Sequence, residues 1–241
     1  MKYNERANHN TGNTMRENLT IIGREMAVFI FAALFLILMV APIYIDVAWM
    51  NDALHETSLT ETTQEALLAI VAVLFFAAAY QRPEQRGALT LIGGFYSCML
   101  IRELDFLFDI IHHGSWVWFS LAVTAGCLAV AIRSPKRTLQ GLANLLQNRS
   151  WPVMASGFLV VLVFSRLFGT HYLWEHMMMD GYNRVVKNMA EEGTELLGYS
   201  LCTLASVRYL WQTRPVTAAV SEPASKPMAS HRSKATPITS S

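Results

Sequence analysis

The chain has 241 residues, of which 53% are apolar and only 15% charged, and its formal net charge is +1. With a mean hydropathy of +0.29, it is too apolar for an ordinary soluble domain of this length and reads as a membrane protein. The near-neutral balance, and the lack of a basic stripe interleaved with aromatics, make no electrostatic case for a nucleic-acid partner, and none is expected.

In chain order, the opening stretch MKYNERANHNTGNTMRENLTIIGR (1–24) is polar. It is too long and too mixed in charge for the n-region of a cleaved signal peptide. It is therefore expected as a cytoplasmic segment ahead of a retained first span. A membrane-crossing helix needs about 20 mostly apolar residues, because the hydrocarbon core is about 30 Å thick and each helical residue rises about 1.5 Å. Six stretches meet that need: 26–47, 62–80, 88–111, 116–132, 152–173 and 190–211. No strand pattern interrupts them. The predicted fold class is all-α, a polytopic six-transmembrane-helix bundle occupying residues 25–213. The remainder, 214–241, is rich in Pro, Ser, Ala and Thr with few large apolar residues, and is expected as a disordered cytoplasmic tail.

Lys and Arg residues collect in cytoplasmic loops. Fifteen fall on the side of the termini and of the 81–87 and 133–151 connections, against Arg184 and Lys187 on the other side. The expectation is therefore an N-in/C-in protein of a bacterial inner membrane. The acidic connection DVAWMNDALHETSLTE and the turn HHGSW then face outward, with Trp49, Trp116, Trp118, Tyr172 and Trp174 at the outer interface.

Two arginines remain, Arg102 and Arg166, and both lie inside predicted spans. At about 1.5 Å per residue each sits roughly 21 Å from the inner edge, in the outer third. Glu65, Glu103, Asp105, Asp109, Glu191, Glu192 and Glu195 reach the same layer from the second, third and sixth spans. At about 100° per residue, Arg102, Asp105, Asp109 and His113 form one stripe on a continuous third helix, and Glu103 faces elsewhere as a partner for Arg166. Glu192, Glu195 and Tyr199 share a face of the sixth helix, with Glu191 one turn from Glu195. Seven carboxylates outnumber two arginines, so ion pairing alone leaves an excess for protons, water or a bound cation to relieve. The bland alternative is that Arg102 and Arg166 only pair with Glu103 and Glu195 to hold helices together.

Carboxylate and imidazole ligands suit a divalent metal, and the metal set expected here is Asp109, His113, Glu191 and Glu195. No HExxH, no paired Glu-x-x-His and no CxxC is present, so no standard metal motif supports it. His112 and His113 read as a solvent-exposed turn, and Met177, Met178 and Met179 beside His171 and His176 read first as apolar filling. Cys98, Cys127 and Cys202 lie in spans and give no disulfide framework.

The leading expectation is an outward-facing intramembrane site that acts on a lipid-linked or amphipathic substrate, with membrane lipid as its surroundings. Glu65, Arg102, Glu103, Asp105, Arg166, Glu192 and Glu195 form its reactive set. Arg102 and Arg166 grip an anionic head group, and the carboxylates act as acid and base or bind metal. A cation- or proton-coupled transporter and a noncatalytic subunit of a membrane complex are the alternatives.

Overall fold

A computed structural model describes the backbone of residues 2–48 and 58–214 and, within them, the side chains from residue 15 onward. Trp49, most of the acidic connection (49–57) and the expected tail from 215 onward lie outside the described residues. All regular structure among the described residues is helical. The helices are α1 (Lys2–Ala48), α2 (Leu59–Gln81), α3 (Arg86–Glu103), α4 (Asp105–Asp109), α5 (Trp116–Ile132), α6 (Pro135–Gln147), α7 (Trp151–Leu159), α8 (Ser165–Phe168), α9 (His171–Met178) and α10 (Arg184–Gln212). A π-turn over Val160–Phe164 joins α7 to α8, so that Trp151–Phe168 forms one rod.

Three of these helices are long and apolar enough to cross a membrane: Met15–Ala48 within α1, α2, and Trp151–Phe168. The pair α5 and α6, bent by 108° at their junction, passes the same test only when taken together, which gives three to four candidate spans among the described residues. The segments α3 and α10 are less apolar for a visible reason. The first carries Arg86, Arg102 and Glu103, and the second carries glutamates and a buried row of Ser200, Thr203 and Ser206. Both are enclosed by neighbours, α3 between α2 and α5 and α10 between α2 and α7. This encloses Glu195, Ser200, Thr203 and Ser206 of α10, in keeping with the cost of an unpaired polar group in lipid.

Glycine lets the helices approach. A Cβ on Gly157 would lie 2.8 Å from the Gly198 carbonyl oxygen, so α7 and α10 cross at backbone contact, the small-residue packing that membrane helices favour. Gly94 gives Cys127 of α5 the same room against α3. At the centre, Phe75 stacks on Tyr96 with ring centroids 5.8 Å apart and on Tyr209 at 6.3 Å, and the Tyr96 hydroxyl shares a 3.0 Å hydrogen bond with Ser206. This aromatic layer joins α2, α3 and α10 and forms the heart of the core.

The periphery is apolar and open. From Met15 to Ala48 only Pro42 and Asp46 of α1 are buried, and Leu34, Ile37 and Leu38 project outward, a surface suited to lipid. Asp46 fastens the end of α1 to the start of α2. Its carboxylate accepts hydrogen bonds from the backbone N–H of Leu59 (3.0 Å) and Thr60 (2.8 Å) and from the Thr60 hydroxyl (2.6 Å). Ser58 caps the same helix by accepting from the Glu61 N–H at 3.1 Å, so α2 begins with its free donors satisfied.

Several boundaries differ from those read from hydropathy, with α1 running back to Lys2 and α10 to Arg184. The predicted third helix over 88–111 is interrupted at Leu104, whose N–H bonds the Leu100 and Arg102 carbonyls, and α4 follows as a separate short helix that ends at Asp109. The predicted fifth helix over 152–173 stops at Phe168, where Gly169 caps it. The connection 133–151 is largely the helix α6, with Pro135 at its first position. It turns Thr138, Gly141 and Leu145 inward and leaves Lys136 and Arg137 exposed, the arrangement of an amphipathic surface helix.

Candidate functional site

The site lies where α3 ends, α8 ends and α10 begins. Arg166 stands at its centre because of the π-turn. One extra residue in that turn rotates everything after it by about 100° relative to an uninterrupted α-helix. The Arg166 guanidinium thereby turns toward α3 and α10. Its Nη2 lies 2.7 Å from Glu195 and 3.8 Å from Glu103, and its Nη1 lies 3.6 Å from Glu191.

Each carboxylate has a second tie. The Tyr199 hydroxyl donates to Glu103 at 2.7 Å, and the Ser165 hydroxyl reaches Glu195 at 3.2 Å while also bonding the Val161 carbonyl at 2.6 Å. Lys187 donates to Glu191 at 2.5 Å, one turn away on the same helix. Glu192 points toward α2, where the Gln64 amide donates to its backbone oxygen and to its carboxylate, both at 3.0 Å. Glu65, half-buried on α2, lies within electrostatic range of Glu103. Glu195 is the most enclosed of the set, with its side chain 3% exposed. Gly169 makes room beside it, since a Cβ there would overlap the Glu191 carboxyl group.

Five carboxylates therefore gather around two cations, Arg166 and Lys187. Two buried polar atoms, Arg166 Nε and Gln64 Oε1, have no partner among the described residues. Buried polar atoms ordinarily find one in protein, solvent or ligand.

The expected reactive residues thus divide. Glu103, Arg166 and Glu195 come together as anticipated, with Glu191, Glu192 and Glu65 around them. Arg102 does not join them. It lies half-buried on the other side of α3 against α5, with no ion pair or hydrogen bond to a described residue, although it remains within electrostatic range of Tyr199. Asp105 is exposed at the first position of α4. Of the expected stripe of Arg102, Asp105, Asp109 and His113, only Asp109 and His113 meet, and the helix that was to carry all four is interrupted at Leu104.

The expected metal set likewise separates into two pairs. Asp109 accepts from the Gly114 N–H and meets His113, both at 2.8 Å, at an exposed turn; Glu191 and Glu195 belong to the Arg166 cluster. Among the described residues no three His, Cys, Asp or Glu side chains come together as ligands for a metal ion. Asp109 is held below the ordinary carboxylate range, first by the Gly114 N–H and then by His113. The other described histidines make local contacts at the protein surface, His112 with the His113 carbonyl at 2.8 Å, His171 with Tyr182 at 2.7 Å and His176 with the Tyr172 carbonyl at 2.9 Å. All three cysteines are free.

Sequence reasoning missed Gln64 and Lys187 and set Ser165 aside for want of a base at helical spacing, whereas its hydroxyl meets Glu195 from another helix. Gln64 had a signal available, since it precedes Glu65 in an otherwise apolar span. The others depended on which helix would lie opposite. Comparison of the chain with protein-family models, with curated proteins and with solved structures gives no match.

Proposed function

We propose that this is a six-span membrane protein with both termini in the cytoplasm, whose outward-facing carboxylate and arginine site performs acid-base chemistry on a lipid-linked or amphipathic substrate. The enclosure of α3 and α10 supports counting them as spans beside the more apolar four, and the lysine and arginine asymmetry supports the orientation and a bacterial inner membrane. The observation that carries the functional reading is the surplus of carboxylates around Arg166 at one end of the helices. Purely structural ion pairing would balance its charges, whereas a surplus of acidic groups can take up and release protons. In this reading Glu195, tied to Arg166 and the Ser165 hydroxyl, exchanges the proton; Arg166 positions it, and Tyr199 holds Glu103. Arg102 receives the anionic head group, a task suited to a guanidinium without a carboxylate partner.

A second reading, a noncatalytic subunit whose charges lock helices together, is favoured by the convergence of three carboxylates on Arg166. One set of variants separates the two in a strain that depends on the protein. Glu195→Gln keeps the shape and the Ser165 contact but cannot exchange a proton, so it is expected to fold and to fail in complementation. Normal complementation by both Glu195→Gln and Arg166→Lys would overturn the acid-base reading in favour of the lock. A single cysteine at position 183 is expected to label from outside the cell, and labelling from the cytoplasm alone would reverse the orientation.

A further inference from the structure

A groove of about 330 Å³ runs along the outer face of the bundle between α3, α5 and the π-turn. Phe95, Met99, Val117, Leu121 and Leu162 line its length, and Arg102 and Trp116 stand at one end. Its walls are set by position along antiparallel helices. Phe95 to Arg102 on α3 and Thr124 to Trp116 on α5 run together from mid-helix to the Arg102 end. Eight helical steps on α5 span about 12 Å. One leaflet of a hydrocarbon core about 30 Å thick offers about 15 Å. The groove is thus as long as most of one acyl chain, and it opens sideways to lipid: Phe95, Leu121 and Leu162 are each about half exposed.

Two polar features set this groove apart from the rest of the lipid-facing surface. Arg102 is a cation with no ion pair to a described carboxylate, although the next residue, Glu103, faces Arg166 in the acidic cluster. The Ser120 hydroxyl, in the groove wall, is buried without a hydrogen-bond partner among the described residues. An unpaired arginine in a membrane is retained where an anion meets it.

We propose that this groove is a binding site for an anionic phospholipid, with one acyl chain along Phe95, Leu121 and Leu162 and the lipid phosphate on Arg102. Phosphatidylcholine offers the same phosphodiester but carries a choline cation that offsets it and would stand beside the Arg102 guanidinium, so the preference rests on net head-group charge and a zwitterionic lipid of the same chain length is the poorer occupant. The proposal builds on the reading of Arg102 as the head-group residue. It adds the class of ligand and the direction of entry, from the side and through the lipid. Because Arg102 is within electrostatic range of Tyr199, which holds Glu103, a phosphate bound there would lie beside the acidic cluster.

The test uses the full chain in phosphatidylcholine vesicles doped with either phosphatidylglycerol or phosphatidylcholine that bears a photoactivatable group at the end of one acyl chain. Labelled peptides are mapped after irradiation. The phosphatidylglycerol probe is expected to mark the α5 and π-turn walls around Thr124 and Leu162 with about tenfold preference over the neutral probe, a difference of about 1.4 kcal/mol for a net head-group charge beside Arg102. Arg102→Gln is expected to erase that preference, and Leu121→Trp, which fills the groove from a lipid-exposed position, to erase the label itself. Equal labelling by the two probes, label confined to α1, or undiminished label in Leu121→Trp would each overturn the proposal. Glu195→Gln distinguishes it from the acid-base reading. Its normal complementation would sink that chemistry while leaving the Arg102-dependent label in place, and a missing label would sink the groove whatever Glu195→Gln does.

Discussion

Replacing Arg166 by Gln removes the only guanidinium in the acidic cluster and leaves Glu195 facing the change. Glu195 is bonded to Arg166 at 2.7 Å with a side chain only 3% exposed, so it cannot turn to water. Removing one member of a buried pair costs about 3–5 kcal/mol, because the other charge stays behind uncompensated. The Arg166 side chain is itself 36% exposed, and Lys187 continues to hold Glu191. The loss is therefore expected at the lower end, about 3 kcal/mol. For a chain of this size that lowers the unfolding midpoint by roughly 6–12 °C. Adding Glu195→Gln to Arg166→Gln removes the stranded charge and is expected to recover about 2 kcal/mol. A thiol-reactive dye in detergent serves as the assay, since Cys127 and Cys202 are buried in the folded bundle and react on unfolding. If Arg166→Gln unfolds within about 0.5 kcal/mol of the parent, or the double variant is no more stable than the single one, the cluster is not held together by this pair.

Three further outcomes follow from particular contacts. Gly157→Ala places a Cβ 2.8 Å from the Gly198 carbonyl oxygen and 3.0 Å from the Cys202 backbone nitrogen; the same dye is expected to report a loss of about 1–3 kcal/mol, while Gly126→Ala, with open space around it, leaves the midpoint unchanged or raises it. Asp46→Ala strips two backbone donors and the Thr60 hydroxyl of their acceptor, with an expected cost of about 1–3 kcal/mol and faster hydrogen exchange in the first turn of α2. Asp109, whose folded-state pKa is depressed, contributes stability that is present above its ordinary value of 3.8 and lost as the pH falls through the lower folded value. The thermal midpoint of the parent is thus expected to drop more steeply in that acid window than that of Asp109→Asn.

The sequence by itself determined what is one-dimensional about this protein. Hydropathy marked the helical stretches, and the rise of about 1.5 Å per residue put Arg102, Arg166 and the glutamates of the second, third and sixth stretches at one level. It also paired Glu103 with Arg166 in advance, since a residue about 100° from its neighbour faces another helix. Direction around the helix axis is a different quantity, and each local break changes it for every residue beyond. Helix α3 ends before Leu104, Asp109 and His113 meet at an exposed turn, and Glu191 and Glu195 belong to the Arg166 cluster, so the expected metal set does not assemble among the described residues. The π-turn at Val160–Phe164 turned Arg166 into the carboxylates. Arg102 and Arg166, alike in residue type and depth, thus came to opposite surroundings: one ringed by three glutamates, the other alone at the end of an apolar groove. Only tertiary packing could decide that difference, because it depends on which helix stands opposite each side chain, and hydropathy along one chain does not encode the neighbour.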